Sequence, residues 1–377
     1  MEKIGIICEY NPFHNGHIYH INKIKEMYPD SLIILVMSTY FTQRGEPNIL
    51  SKYDKVKIAL KYNVDIVIEL PTIYSLNSAD IFAECAINLL NKAGAEKIVF
   101  GSETNDVKLL TKLAKELTSS KTKEKIKKYL GEGLNYPTSL SKALDKTLSS
   151  NDLLGISYIK AIKKINKKIE AVTIKRTTDY KDLDSTSIIV SGNNIREKFK
   201  NNENIKKYIP DYEEVLLQKI VYDKLFTLLK YKILTDEDLT KYLGVDEGIE
   251  SRIRKSIFIS KSMDELVKNI KSKRYTYLRI NRMLMHILLG ILKTDSYEDM
   301  PYFRVLGLSN NGKSYLRNKE IKMVSFKNGG RIYDVELSSS IIYDYLTNSK
   351  TYNLEIQNKP VFYKKSAWHF PLFSYIM

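Results

Sequence analysis

Two histidines, His14 and His17, stand between an apolar run at residues 4–8 and a helix-like pattern. Gly16 lies between them and lacks the Cβ that would keep the backbone away from a ligand. Imidazole donates hydrogen bonds to phosphate oxygens, and the N-terminus of a following helix favours anions. This segment, residues 11–17, is called the histidine loop below. It predicts a nucleotide triphosphate site, and the chemistry that such a site serves is nucleotidyl transfer.

Three of the five histidines of the chain, His14, His17 and His20, fall within seven residues. Metal ligation is one alternative, but neither the cysteines nor His286 and His369 complete a recognisable ligand set. A plain polar turn is the other alternative. His20 lies one helical turn further along, where a structural role also fits it. Phosphate binding is the interpretation that the cluster favours.

A second candidate for phosphate binding lies at residues 191–196, where a polar loop turns into a helical pattern. Ser191 is a suitable N-cap residue, and Gly192 opens the helix. Arg196 then stands in the first turn, where its guanidinium can form a charge-assisted fork with phosphates. A capped surface helix would have the same sequence. Together with the upstream histidine loop, the segment predicts the second half of one anion site.

Short apolar runs alternate with amphipathic segments in the first half of the chain, which predicts an α/β fold with a parallel sheet. Ligands bind beyond the carboxyl ends of such strands, so the histidine loop, residues 38–48 and residues 101–103 are expected to line one crevice. The predicted strands are residues 4–8, 32–37, 65–70, 97–100 and 169–175, and the predicted helices are residues 18–27, 52–61 and 79–91.

The polar residues 200–204 suggest a boundary between a catalytic, ATP-binding domain at 1–200 and a second domain at 201–377. Residues 105–168 are helical and rich in lysine in the first domain. The second is expected to be mainly helical with a small α+β segment. Its predicted helices are residues 212–231, 236–242, 252–270 and 275–291, and its predicted strands are residues 303–308 and 322–326.

A basic segment at residues 251–286 holds ten lysines and arginines but only two acidic residues. Helical spacing predicts that Tyr275, Arg279, Arg282 and His286 share one face. Such a face suits RNA phosphates and offers rings for stacking. A merely solvated basic face is the alternative. The candidate RNA contacts are Lys273, Arg274, Arg279 and Arg282.

Residues 307–314 match the phosphate-loop pattern G-x-x-x-x-G-K-[ST] between a strand-like and a helix-like run. Only 63 residues follow Ser314, which is too few for the doubly wound sheet that such domains need. Such domains also need an apolar strand that ends in a metal-binding aspartate. The nearest candidate is Asp334, and no convincing strand precedes it. We therefore interpret this match as a coincidence.

The 377-residue chain is large enough for one large domain or two, and its formal charge is +16. That charge suits a nucleic acid partner, although a coding bias towards lysine explains it equally well. No run of eighteen apolar residues occurs and the chain starts with a charged segment, so we expect a cytoplasmic protein without a membrane partner. Cys8 and Cys85 are expected to be core residues.

The combination of these motifs closely resembles the bacterial tRNA(Met) cytidine acetate ligases, within the His-x-Gly-His nucleotidyltransferase superfamily. The resemblance covers most of the chain. Its motifs are residues 11–17, 43–47, 65–71, 100–103, 191–196 and 273–276, with Asn151, Gly155, Tyr158 and Arg176.

The resemblance implies a Rossmann-like nucleotidyltransferase domain that activates acetate with ATP as acetyl-adenylate and acetylates the wobble cytidine of elongator tRNA(Met). His14, His17 and Arg196 are the predicted catalytic residues, and Mg²⁺ is expected to accompany ATP without a protein carboxylate cage. Gln43, Arg44 and Glu46 are predicted to lie on a loop near the acetyl group. The predicted ATP contacts are Ile7, Asn11, His14, Gly16, His17, His20, Gly101, Asn151, Lys175, Arg176, Ser191 and Arg196.

Two other functions remain open from the sequence. An adenylyltransferase that makes a small cofactor needs the same histidine loop but no RNA surface. An RNA-binding protein with a vestigial nucleotide fold needs the basic segment but no ATP. The sequence does not indicate the oligomeric state, the residues that contact acetate or the basis of tRNA selection.

Overall fold

The structure is a computed structural model that describes residues 1–176, 188–214, 216–295, 303–318, 330–349 and 361–363. The strand predicted at residues 322–326 and His369 lie outside the described residues. No helix in the described ranges is long and apolar enough to cross a membrane.

In the described part of the chain, seven strands form one central sheet in the order β5-β4-β1-β2-β3-β6-β7. The first five strands are parallel to one another, as predicted, and β6 is antiparallel to β3. The chain proceeds from β1 to β2 and β3 on one side, and β4 and β5 lie on the other. The strands are β1 (Lys3–Cys8), β2 (Leu32–Ser38), β3 (Ile66–Leu70), β4 (Lys97–Ser102), β5 (Glu170–Lys175), β6 (Val305–Ser309) and β7 (Val361–Tyr363).

Strand β1 therefore lies at the point where the strand order reverses, and the histidine loop follows it directly. In open parallel sheets the crevice beyond such a point is the usual ligand site. Both faces of the sheet are covered: in β2, Leu32, Ile34 and Val36 belong to one core, and Ile33 and Leu35 belong to the other. This explains the uninterrupted apolar runs of the central strands.

Nine helices are described within residues 1–200, and most of them pack on the two faces of the sheet or against each other. They are α1 (Asn15–Met27), α2 (Lys52–Lys61), α3 (Thr72–Ser75), α4 (Ala79–Ala93), α5 (Val107–Thr118), α6 (Ser120–Gly131), α7 (Tyr136–Leu144), α8 (Ser150–Ile165) and α9 (Gly192–Lys200). The helices predicted at 18–27, 52–61 and 79–91, the helical stretch at 105–168 and the helix opening at 191–196 are confirmed, most of them with shifted ends, whereas α3 was not predicted.

The second half of the chain is mainly helical, but three helix predictions are wrong in detail. Two short 3₁₀ turns, Lys206–Tyr208 and Tyr212–Glu214, precede the longer helices. The helices are α10 (Tyr222–Thr235), α11 (Ile249–Ile259), α12 (Met263–Ile270), α13 (Tyr277–Leu289), α14 (Asn310–Asn318) and α15 (Arg331–Thr347).

Local polar contacts explain these three differences. The helix predicted at 212–231 begins only at Tyr222, because Gln218 N donates to Ile49 O (2.7 Å) and the residues beside it are held extended. Residues 236–242 form turns around the Asp236 carboxylate, which accepts from the Tyr242 hydroxyl. The helix predicted at 252–270 is divided into two, since Ser262 caps α12.

Strand β6 pairs with β3, so part of the second half of the chain completes the sheet of the first half. The domain boundary at residue 200 stays a prediction. If the second domain begins there, its strand β6 belongs to the sheet of the first domain.

The phosphate-loop match at 307–314 contains no loop. β6 continues to Ser309 and α14 begins at Asn310. A Cβ on Gly312 would lie 2.2 Å from Asp65 O, so this glycine allows α14 to pack against the start of β3. The Ser309 hydroxyl donates to the Asp65 carboxylate (2.7 Å) at the same place. The motif therefore joins two elements of the fold by close packing.

Candidate active site

The histidine loop holds its two imidazoles against each other by backbone hydrogen bonds. His14 is the N-cap residue of α1, and its Nδ1 accepts from Gly16 N (3.0 Å). His17 Nδ1 accepts in turn from His14 N (3.1 Å), and the two ring centroids are 3.9 Å apart. A Cβ on Gly16 would lie 2.8 Å from His14 Cε1, so only glycine allows this arrangement.

These hydrogen bonds fix the tautomer of both rings. Because each Nδ1 accepts a backbone N–H, the proton of each neutral ring is on Nε2. Burial lowers the pKa of His14 to about 3 and lowers the pKa of His17 well below its ordinary value, and the Arg176 guanidinium acts in the same direction. The loop therefore presents two neutral N–H donors, which suit the oxygens of a phosphate.

Helix α9 brings its N-terminus and its arginine to the same place. Ser191 caps the helix and accepts from Asn194 N (3.2 Å), as predicted from the sequence. A Cβ on Gly192 would lie 3.4 Å from Arg196 Nη1 and 3.6 Å from His14 Nε2. The helix N-terminus, the guanidinium and the first imidazole thus converge, and all three favour an anion.

Two contacts orient Arg196. Its Nη1 donates to Asn11 O (2.7 Å) in the histidine loop, and its Nε lies 3.5 Å from the Glu46 carboxylate. The guanidinium is therefore tied to both the histidine loop and the loop after β2. A guanidinium held in this way recognises a phosphate at a lower entropic cost than a free side chain.

A second group of predicted residues lies at the ends of β4 and β5 and at the start of α8. Asn151 Nδ2 donates to Glu103 Oε1 (2.5 Å), and Arg176 Nε lies 3.5 Å from the same oxygen. Lys175 Nζ donates to the backbone oxygen of Glu103. A Cβ on Gly101 would lie 3.2 Å from Arg176 Cγ, so the glycine gives the arginine room.

These groups surround one cavity of about 470 Å³ beyond the carboxyl ends of the strands. That volume lies within the range of small-molecule and cofactor sites. All the residues predicted to contact ATP line this cavity, although they come from five separate parts of the chain: Ile7, Asn11, His14, Gly16, His17, His20, Gly101, Asn151, Lys175, Arg176, Ser191 and Arg196. The donors and cations among them suit a polyanion.

The loop with Gln43, Arg44 and Glu46 closes one side of the cavity, and the first two residues line it. Glu46 is absent from the lining and reaches the site through its contact with Arg196. Arg282 Nη1 of α13 donates to Gln43 O (3.1 Å). The loop is thus held between the cavity and a helix of the basic segment.

The basic segment differs from its predicted form. Lys273 and Arg274 are exposed, and Arg274 pairs with Glu247 (2.5 Å). Arg279 lies over the Tyr275 ring, 4.3 Å from its centroid. The prediction of a shared RNA-facing surface is wrong for Tyr275 and His286, because both are buried.

His286 has a structural position. Its Nδ1 lies 2.7 Å from Leu243 O and its Nε2 lies 2.6 Å from Leu76 O. The ring therefore connects α13 to two separate segments of the core. Helical spacing alone could not separate this buried face from a solvent-facing one, because tyrosine and histidine occur on both.

Sequence reasoning missed two charged residues at the site. Glu9 follows β1 directly and lines the cavity. Lys55 of α2 is fully buried, and its Nζ donates to the backbone oxygens of Ser38 (2.7 Å), Thr39 (2.9 Å) and Glu9 (3.1 Å). Burial lowers the pKa of Lys55 to about 7. Glu9 could have been predicted, because it is a carboxylate at the end of a buried strand. Lys55 gave no such signal, because lysines on an amphipathic helix usually face solvent.

No metal cluster is evident in the described part of the chain, where no group of three or more His, Cys, Asp or Glu side chains could hold an ion. Cys8 and Cys85 are both free thiols, and Cys85 is a core residue as expected.

Comparison with known proteins places this geometry in a family. The model of the family described as HIGH Nucleotidyl Transferase matches residues 1–360. A tRNA(Met) cytidine acetate ligase from Fusobacterium nucleatum is 39% identical over 83% of this chain and 84% of its own length. The protein of that name from Caldicellulosiruptor saccharolyticus is 36% identical over 96% of this chain and 99% of its own length.

Solved structures give the same result. The apo crystal structure of Thermotoga maritima TmcAL superposes with a TM-score of 0.85 at 26% identity, covering 97% of this chain and 100% of that one. A structure of the same protein bound with alpha-thio ATP has a TM-score of 0.84 at 25% identity, with the same coverage. The fold therefore corresponds over 97% of the chain to that of a protein that has been solved with alpha-thio ATP bound.

Proposed function

Because the chain belongs to the HIGH nucleotidyltransferase family and to the tRNA(Met) cytidine acetate ligases within it, we propose that it acetylates elongator tRNA(Met). ATP activates acetate as acetyl-adenylate, and the acetyl group passes to the exocyclic amine of the wobble cytidine to give N4-acetylcytidine. The observation that carries the proposal is the cavity in which two neutral imidazoles, the α9 N-terminus and Arg196 converge.

In the first step, an acetate oxygen attacks the α-phosphorus of ATP in line with the departing pyrophosphate. An oxygen–phosphorus bond to acetate forms, and the bond to the β-phosphate oxygen breaks. His14 and His17 donate through Nε2–H to the α-phosphate oxygens, whose charge grows as phosphorus becomes five-coordinate. Arg196 and the α9 N-terminus hold the pyrophosphate. The protein contributes positioning and electrostatic stabilisation without a covalent intermediate on itself.

Mg²⁺ would be held by ATP itself. It would neutralise part of the phosphate charge and so make the α-phosphorus easier to attack. Among the described residues that line the cavity, Glu9 is the only one with a carboxylate, which fits an ion carried in with the nucleotide better than one bound by the protein. The residues named above do the positioning in either case.

The second step needs the cytidine base inside the cavity. A base is paired or stacked in its loop and has to be turned out before an enzyme can reach it. Leu278, at the start of α13, lines the cavity, and the exposed cations Lys273 and Arg274 lie just before that helix. We therefore propose that the tRNA approaches along the basic segment, with Lys273, Arg274, Arg279 and Arg282 near its phosphates. A cytoplasmic location, the compartment of bacterial tRNA, remains a prediction.

The direct test is incubation of the full chain with ATP, labelled acetate and unfractionated tRNA, followed by nucleoside analysis. N4-acetylcytidine in elongator tRNA(Met) and an equal amount of AMP are the expected products. Release of a stable adenylylated small molecule without any RNA product would point to a cofactor adenylyltransferase. Absence of ATP binding would point to an RNA-binding protein.

A further inference from the structure

The proposed first step gives Glu9 no role, although its carboxylate belongs to the same cavity. Glu9 stands between β1 and the histidine loop, half-buried, and lines the cavity. Its Oε1 accepts from Gln43 N (2.6 Å), which fixes the carboxylate beside the loop after β2. It supplies the only carboxylate among the cavity residues that the structure describes.

Three cations surround this carboxylate. Arg44, Lys55 and Arg196 each favour its charged form, and Lys55 also holds the backbone oxygen of Glu9 (3.1 Å). Burial acts in the opposite direction and is the larger effect, so the pKa of Glu9 is raised. A carboxylate with a raised pKa is a stronger base than one in water.

The transfer step requires a group that takes a proton. The lone pair of the exocyclic nitrogen attacks the carbonyl carbon of acetyl-adenylate, a nitrogen–carbon bond forms, and the bond to the AMP oxygen breaks. The nitrogen then carries one hydrogen too many for an amide. The exocyclic N4 amino group of cytosine is a hydrogen-bond donor, and carboxylate side chains accept hydrogen bonds from it.

The imidazoles of the histidine loop cannot take this proton. Each already carries its proton on Nε2, and each Nδ1 accepts a backbone N–H. Burial lowers the pKa of His20 to about 4, which makes that ring a weaker base than an ordinary imidazole. Lys175, Arg176 and Arg196 are cations. Glu9 is therefore the cavity residue that can accept a proton.

We propose that Glu9 is the catalytic base of acetyl transfer: its carboxylate accepts a hydrogen bond from the exocyclic amine and removes the proton as the nitrogen–carbon bond forms. The inference rests on the proposed function and adds a residue to its second step. It also predicts that the two half-reactions can be separated, because activation of acetate requires no proton transfer to this residue.

The test compares the wild type with Glu9→Gln, whose side-chain oxygen can still accept from Gln43 N. Acetate-dependent exchange of labelled pyrophosphate into ATP measures the first step. Single-turnover transfer from synthetic acetyl-adenylate to unfractionated tRNA measures the second. We expect exchange within about threefold of the wild type and transfer slowed at least about 100-fold, the usual contribution of a general base. Glu197→Gln, the same change at an exposed position of α9, is the matched control.

A pH profile separates a base from a structural support. The wild-type transfer rate should fall as pH falls and Glu9 becomes protonated. Glu9→Asp should keep this dependence at a reduced rate, whereas Glu9→Gln should lose it. Normal transfer by Glu9→Gln, equal loss of both half-reactions, or a flat wild-type profile would each overturn the proposal. A wild type that forms acetyl-adenylate but acetylates no tRNA would instead remove the proposed function.

Discussion

The histidine loop and the basic segment both offer groups for binding phosphate, but they differ in how those groups are held. In the histidine loop, the ring nitrogens of His14 and His17 accept backbone hydrogen bonds, and both rings are kept neutral by burial. In the basic segment, Lys273 and Arg274 are exposed, and Arg274 is paired on the surface with Glu247.

The difference indicates two kinds of binding. Fixed neutral donors in a buried site act through geometry, so their effect depends little on salt and is lost by small displacements. Exposed cations act through charge, so their effect is spread over several residues and weakens with ionic strength. The first kind suits the reacting phosphate of a small substrate, and the second suits the backbone of a large one.

The largest effect is expected from removing one fixed donor. His14→Ala or His17→Ala should lower acetate-dependent AMP formation by about 100-fold to 1,000-fold, since each loses one hydrogen bond to the transition state. The rate should be measured at saturating ATP with labelled acetate. Tight binding of tRNA should persist in both variants, because the basic segment is unchanged.

His14 also caps α1, so its replacement is expected to cost about 1 kcal/mol of stability. A urea unfolding curve for each variant controls for this loss. Activity near the wild-type level in either folded variant would contradict the role of the histidine loop.

The sequence predicted the first of these two regions far better than the second. The central strands are buried on both faces, so their apolar runs are long and unambiguous. The histidine loop and residues 191–196 could be predicted as phosphate-binding segments from their sequence. Few structures other than an anion site need glycine, histidine and arginine at these spacings. The convergence of these segments at one cavity followed from the topology of a parallel sheet. Whether they bind ATP stays a prediction.

The errors in the second half have a different origin. The turns around Asp236 and the division before α12 depend on single side-chain hydrogen bonds, which leave the helical periodicity almost unchanged. The burial of Tyr275 and His286 depends on contacts with distant segments. Periodicity reports an apolar face but does not report which polar residues a neighbouring segment will cover.

A second prediction concerns Gly45, in the loop between the cavity and α13 of the basic segment. Its φ is +76°, and a Cβ there would lie 2.5 Å from the backbone nitrogen of Arg282 on α13. Gly133 has a similar φ of +83° but open space around it. Gly45→Ala should therefore reduce the free energy of unfolding by about 1–3 kcal/mol more than Gly133→Ala does, because overpacking adds to the backbone strain.

Urea unfolding of the two variants side by side measures this difference. Equal losses would mean that the loop moves away from α13 without cost. In that case this loop and α13 would be independent of each other, and no rigid contact would link the cavity to the basic segment.

The third prediction tests the exposed cations. The double variant Lys273→Glu/Arg274→Glu should bind tRNA about tenfold more weakly and with a smaller salt dependence, since each lost phosphate contact lowers the log–log slope by about 0.7 to 0.9. Acetyl-adenylate formation should be unaffected. The same reversal at Lys112 and Lys115, which are exposed on α5, is the control for net charge. If both pairs weaken binding equally, the basic segment is only a solvated surface.

The smallest effect is expected from pH and concerns His20, in the buried region. Burial lowers its pKa to about 4 from an ordinary value of 6.5, so between these values the unfolded chain binds a proton that the folded chain does not. The stability that the neutral ring contributes is therefore complete above pH 6.5 and is lost as pH falls towards 4.

His20→Gln lacks this titration. From pH 7.5 to 5.5, the wild type should lose about 1 kcal/mol more of its free energy of unfolding than the variant does, as measured by urea titration. An equal loss would mean that the folded protein leaves the pKa of His20 at its ordinary value. In that case burial would not separate the histidine cluster from the solvent-exposed basic segment.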